Sequence, residues 1–103
     1  MKMENNRKQV NIIVNSALEA KMVRLANRVG VSGYSLTPMR TGQGSTGLQS
    51  SSSDGDSNIL FMMIITLDKL DKMISEIQKI KDRSYPLRVF INDAYVMDEK
   101  DFN

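Results

Sequence analysis

Residues 41–58, TGQGSTGLQSSSSDGDSN, constrain this 103-residue chain more than any other stretch. Ten of the 18 are glycine or serine, and Leu48 is the only large apolar side chain among them. Such a segment cannot bury enough surface to offset the entropy lost on ordering it. The core must therefore come from the two flanking parts, with these residues carried as a long loop. A loop of that length in a small domain is uncommon, and is usually functional or disordered. With 41% hydrophobic and 25% charged residues the chain has the balance of an ordinary globular domain. One domain over 1–103 is expected, with residues 1–8 (MKMENNRK) as a flexible N-terminus and 41–58 as a mobile loop. A domain this short buries only about two-thirds of its unfolded surface, so assembly into an oligomer is favoured.

Hydrophobic periodicity orders the rest. QVNIIVN alternates with Val10, Ile12 and Val14 on one face, a strand over 9–15. Ser16 and Glu19 have the spacing of a capping box, Leu18, Met22, Leu25, Ala26 and Val29 follow at helical spacing, and Gly30 suits a left-handed end. GYSLTPM (33–39) is a second strand, and Pro38 assigns it to an edge. ILFMMIITL (59–67) is apolar on both faces, as in a central strand. Asp68 can cap a helix whose stripe is Leu70, Met73, Ile74, Ile77 and Ile80, broken at Arg83–Pro86. LRVFI (87–91) is a fourth strand, Asn92-Asp93 a turn, and 94–97 a short extra strand. The order predicts an α+β fold: a ferredoxin-like βαββαβ sandwich with a long mobile loop and a short C-terminal extra strand.

The residues that are missing narrow the chemistry. With no cysteine and no histidine, disulfides, iron–sulfur clusters, thiolate nucleophiles, imidazole bases and most zinc sites are excluded. Six aromatics and no tryptophan leave a nucleic-acid stacking platform poorly supplied. A net charge of +2 is too mild to imply a nucleic-acid partner. The first 50 residues carry seven Lys/Arg against two acids, and the remainder seven against ten, a pattern that a solvated helix face largely explains. Neither a membrane span nor a signal peptide is legible, which predicts a cytoplasmic protein that meets a membrane only through a partner.

Gly42-Gln43-Gly44-Ser45 offers consecutive backbone donors of the kind that cradle phosphate, with Arg40 and Thr41 directly before them. No helix signal follows, so this is neither a dinucleotide fingerprint nor a P-loop, and a flexible linker remains the alternative. Arg88 interrupts an apolar strand, so it must reach an edge, pair with an acid, face solvent or meet an anion. Asp54/Asp56, Asp68/Asp71 and Asp98/Glu99/Asp101 read as turn, helix-start and solvated acids rather than as a catalytic pair or a metal set. The methionines at 22, 62, 63 and 73 fall on apolar stripes and read as core. An acylphosphatase-type enzyme needs an arginine in a glycine loop after the first strand, where this chain has Asn15-Ser16-Ala17.

Gly33-Tyr34-Ser35, Gly42-Gln43-Gly44-Ser45 and Asp54–Asn58 ahead of an apolar third strand resemble the PII-like signalling proteins. The branch associated with bicarbonate transporters in cyanobacteria shares that pattern. Gly33–Pro38 and Asp93-Ala94-Tyr95-Val96…Phe102 are similar to the carboxysome-associated branch. The resemblance implies a non-enzymatic homotrimer that binds an adenine nucleotide in intersubunit clefts. The long T-loop would change order with ligand and engage a protein target such as a bicarbonate transporter or carboxysome component. It implies Ser35 beside the adenine and Gly42, Gly44 and Ser45 facing phosphate, with Arg40 and Arg88 as candidates for the charge that two loop arginines supply in relatives. No metal or resident cofactor is implied, and bicarbonate is a further regulatory ligand. Residues 82–88 lack the glycine-rich loop that binds triphosphate in conventional PII proteins, which favours AMP, ADP or a cyclic nucleotide. A trimer of the same fold that works without nucleotide, akin to the ion-tolerance proteins, is the alternative.

Overall fold

The computed structural model describes residues 4–40 and 57–103. The elements follow as β1 (Glu4–Asn15), α1 (Glu19–Val29), β2 (Ser35–Met39), β3 (Asn58–Thr66), α2 (Leu67–Asp82) and β4 (Arg88–Val96), with 3-10 turns at Ser16–Leu18 and Glu99–Asp101. The strands form one antiparallel sheet in the order β2-β3-β1-β4. This is the expected ferredoxin-like α+β arrangement.

Alternation divides the sheet into two faces. Val10, Ile12 and Val14 oppose Met63, Phe61 and Ile59 across the β1–β3 ladder, and all six are buried. Met22, Leu25 and Ala26 of α1 and Met73, Ile77 and Ile80 of α2 close over them in one core. Burial of each large side chain contributes roughly 1.5–3 kcal/mol, which makes this face the main source of stability. The opposite face, built from Ile13, Leu60, Met62, Ile64 and Phe90, carries no helix and stays half-buried or exposed. Pro38 lies in an edge strand, as its missing donor requires. Gly30 closes α1 with φ 88°: its N–H donates to Asn27 O while that of Val31 donates to Ala26 O at 3.0 Å.

Four local expectations are corrected. Residues 4–8 are not loose, because β1 begins at Glu4 and Lys8 is ion-paired with Asp93 across the ladder. Residues 92–93 are not a turn and 94–97 not a separate strand. Asn92 pairs with Gln9 and Asp93 with Lys8, so β4 runs unbroken from Arg88 to Val96. Ser16 and Glu19 do not form a capping box. The side chain of Asn15 caps instead, its Oδ1 accepting from Ala17 N at 2.8 Å, and a 3-10 turn precedes α1. Asp68 lies inside the first turn of α2 rather than at its cap, which Thr66 occupies.

Candidate functional site

Of the candidate residues within the described chain, Ser35 and Arg88 lie on the helix-free face, and Arg40 follows the end of β2. Ser35 aligns with Met62, Met62 with Asn11, and Asn11 with Phe90, so one row crosses the whole sheet. Asn11 is only 1% exposed and fully engaged: it donates to Phe90 O (3.2 Å) and Asn92 Oδ1 (3.1 Å) and accepts from Gln9 Nε2 (2.9 Å). Buried amides of this kind hold their place only when every polar atom is matched. At the β2 end of the row, Ser32–Ser35, Met62–Ile64, Asp101 and Phe102 enclose a pocket of about 200 Å³. Its walls combine an apolar floor with the exposed Ser35 hydroxyl and peptide groups of a glycine-containing approach to β2. Such a mixture suits a flat heteroaromatic ring with a few polar edge atoms. Beside it Tyr34 stacks on Phe61 with centroids 4.8 Å apart, which fixes the backbone entering β2.

The two arginines lie at the other end of the sheet. Arg88 opens β4 opposite Ile13, and Arg40 follows Met39, which pairs with Asn58 beside Asn15. Both are exposed. They stand on opposite edges, three strand spacings or roughly 14 Å apart, and Ser35 lies about 17 Å along β2 from Arg40. Within one chain the three backbone positions stand well apart on the sheet. Thr41, Gly42, Gln43, Gly44 and Ser45, and the pair Asp54/Asp56, lie outside the described residues. Where the chain re-enters the fold, Ser16 N donates to Ser57 O at 2.8 Å and the two hydroxyls meet at 3.1 Å.

Charges elsewhere are structural. Hydrogen bonds from Lys79 and Arg28 hold the Glu76 carboxyl below the usual glutamate range, and through them α1 is tied to α2. The Asp68 carboxyl at the start of α2 is likewise held below the usual aspartate range, first by the Thr66 side chain near it and then by its own backbone N–H. Among the described residues, no group of three or more acids could hold a metal ion, and no helix is long and apolar enough to cross a membrane. Sequence reasoning missed Arg7, which is buried at 6% exposure despite its polar surroundings in MKMENNRK. The phase of Val10, Ile12 and Val14, extended backwards, was the available signal: it puts Arg7, Gln9 and Asn11 together on the helix-free face.

Comparison with known proteins adds the following. The family described as nitrogen regulatory protein P-II matches residues 7–100. No curated protein matches the chain. A PII-like signalling protein from Thermus thermophilus is 26% identical, with a TM-score of 0.80 over 100% of both chains. CPII from Thiomonas intermedia, solved with ADP, AMP and bicarbonate, is 22% identical, with a TM-score of 0.82 over 98% of this chain and 96% of that one. Its structure with ADP and bicarbonate gives 22% and 0.81 over 99% and 98%. At this identity the likeness to CPII demonstrates the shared fold.

Proposed function

The chain belongs to the nitrogen regulatory protein P-II family, and on that footing we propose that it is a non-enzymatic, homotrimeric regulator binding an adenine nucleotide between copies. The observation that carries this reading is the placement of the candidates: Arg40 and Arg88 sit on opposite edges of the sheet, and Ser35 at the far end of β2. A nucleotide can meet a base pocket and two guanidinium groups set this way only where edges of neighbouring copies abut. The helix-free face supports assembly, because Phe90 of β4 is 53% exposed in the single chain. In this reading Ser35 contacts the base, while Arg40, Thr41, Gly42, Gln43, Gly44, Ser45 and Arg88 bind phosphate.

AMP, ADP or a cyclic nucleotide is the ligand class, with bicarbonate as a second effector. CPII, which shares the fold, has been solved with ADP, AMP and bicarbonate. Residues 1–103 form one PII-like domain in which 41–58 act as the T-loop. Ligand phosphate at the loop base shifts the loop between ordered and mobile populations, which is how a target would read nucleotide state. The target belongs to inorganic-carbon uptake or the carboxysome, reached in the cytoplasm. The chain has no histidine or cysteine for demanding chemistry, which fits a sensor.

Calorimetric titration with AMP, ADP, ATP, cyclic AMP and cyclic di-AMP, each with and without bicarbonate, tests the proposal. Saturable heat with a mono-, di- or cyclic nucleotide is expected. No heat with any of the five would leave the nucleotide-independent trimer as the better account.

A further inference from the structure

Three side-chain amides close a ring on the β1–β4 half of the helix-free face. Gln9 Nε2 donates to Asn11 Oδ1 at 2.9 Å, Asn11 Nδ2 to Asn92 Oδ1 at 3.1 Å, and Asn92 Nδ2 to Gln9 Oε1 at 3.4 Å. Register explains the meeting. Gln9 pairs with Asn92 across the ladder, and Asn11 follows two residues along β1 on the same face. Apolar residues border the ring: Ile64 is paired with Gln9, while Met62 and Phe90 flank Asn11 on the adjacent strands. Asn11 is sealed at 1% exposure and its amide nitrogen also donates to Phe90 O at 3.2 Å. The rim differs. Gln9 is half-buried and Asn92 exposed, and each of their amide nitrogens makes one bond, which leaves one N–H apiece.

We propose that this ring sets the register in which copies of the chain dock, through hydrogen bonds from the amides of one copy to those of the next. The inference rests on the reading of the chain as a homotrimer joined through the helix-free face. Apolar contact is non-directional, so Phe90, Met62 and Ile64 drive association without fixing one geometry. Polar groups in their midst do fix it. A docking that covers Gln9 and Asn92 with hydrocarbon buries unpaired N–H groups and is unfavourable, whereas one that sets amide against amide is not. A side-chain amide both donates and accepts, so the ring is complementary to a second copy of itself. A partner of one charge sign, or a purely apolar one, would leave part of the rim unmatched. Single polar side chains in otherwise apolar interfaces select register and oligomer size in this manner.

Sedimentation velocity over a range of concentrations, with native mass spectrometry, reads the assembly of the full chain, and circular dichroism its fold. Asn92→Asp keeps the acceptor for Asn11 but puts a carboxylate on the rim, where rings that meet bring like charges together. It should raise the dissociation constant of the assembly at least tenfold at pH 7 with the fold intact. The triple variant Gln9→Met/Asn11→Leu/Asn92→Leu removes the ring without leaving a broken network. It should still associate, but as a mixture of sizes in place of one species. Should the triple variant fail to fold, Asn92→Asp carries the test alone. An Asn92→Asp chain that assembles as tightly as wild type, or a triple variant that keeps one uniform size, would overturn the ring's role and leave the trimer standing. A wild type that stays monomeric overturns both.

Discussion

Glu76 shows how much one side chain can do between two elements. It accepts from Arg28 of α1 at 2.8 Å and from Lys79 of its own helix at 3.1 Å, and these bonds depress its pKa. A carboxyl whose folded-state pKa is lowered adds stability above its unfolded value and loses it as pH falls through the folded value. Glu76→Gln should therefore unfold at lower urea than wild type at pH 7, with the gap closing as pH drops below the ordinary glutamate value of 4.5. Urea midpoints across that range check this, and a gap independent of pH would show that the charge is not its source. Arg7 makes the opposite point. Its burial depends on carbonyls brought round by residues 98–103, far away in sequence, so the alternation of β1 gives its face but not its partners.

At the scale of elements, alternation and helical spacing predict the sheet, both helices and the edge position of β2. These properties follow from which side chains share a face, and that is written locally. The expectations that failed concern boundaries set by partners. Asn92-Asp93 looks like a turn in isolation, yet Gln9 and Lys8 across the ladder hold it in β4. Asn15 displaces Ser16 as the cap because a 3-10 turn intervenes, and spacing does not encode that turn. Gly30 was legible, because a helix end needing a left-handed residue favours glycine. It sits at φ 88° with open space around its would-be Cβ, whereas Gly33, equally open, has no such φ. Gly30→Ala should then cost about 1 kcal/mol through backbone strain alone, while Gly33→Ala should leave the thermal midpoint unchanged or slightly raised. Equal effects of the two would remove the strain argument.

For the whole molecule, the sequence identified residue types suited to a nucleotide, but their separation in space emerges only from the sheet. Ser35, Arg40 and Arg88 look like parts of one site along the chain. The order β2-β3-β1-β4 instead sends the arginines to opposite edges, which is why the proposed function draws on a second copy for a shared ligand. Symmetric assembly converts that separation into a cleft. The helix-free face, which neither α1 nor α2 covers and where Phe90 stays exposed, supplies the surface for it in the proposed assembly. The most direct test mixes subunits. Arg40→Ala and Arg88→Ala, each expected to weaken AMP or ADP binding at least tenfold, are combined in equal amounts, unfolded, refolded together and titrated with whichever nucleotide binds the wild type. If each site takes Arg40 from one copy and Arg88 from its neighbour, about a quarter of the sites regain wild-type affinity by random assortment. No recovery in the mixed assemblies would place both residues in one copy or outside the site, and would contradict a nucleotide cleft built between copies from these residues.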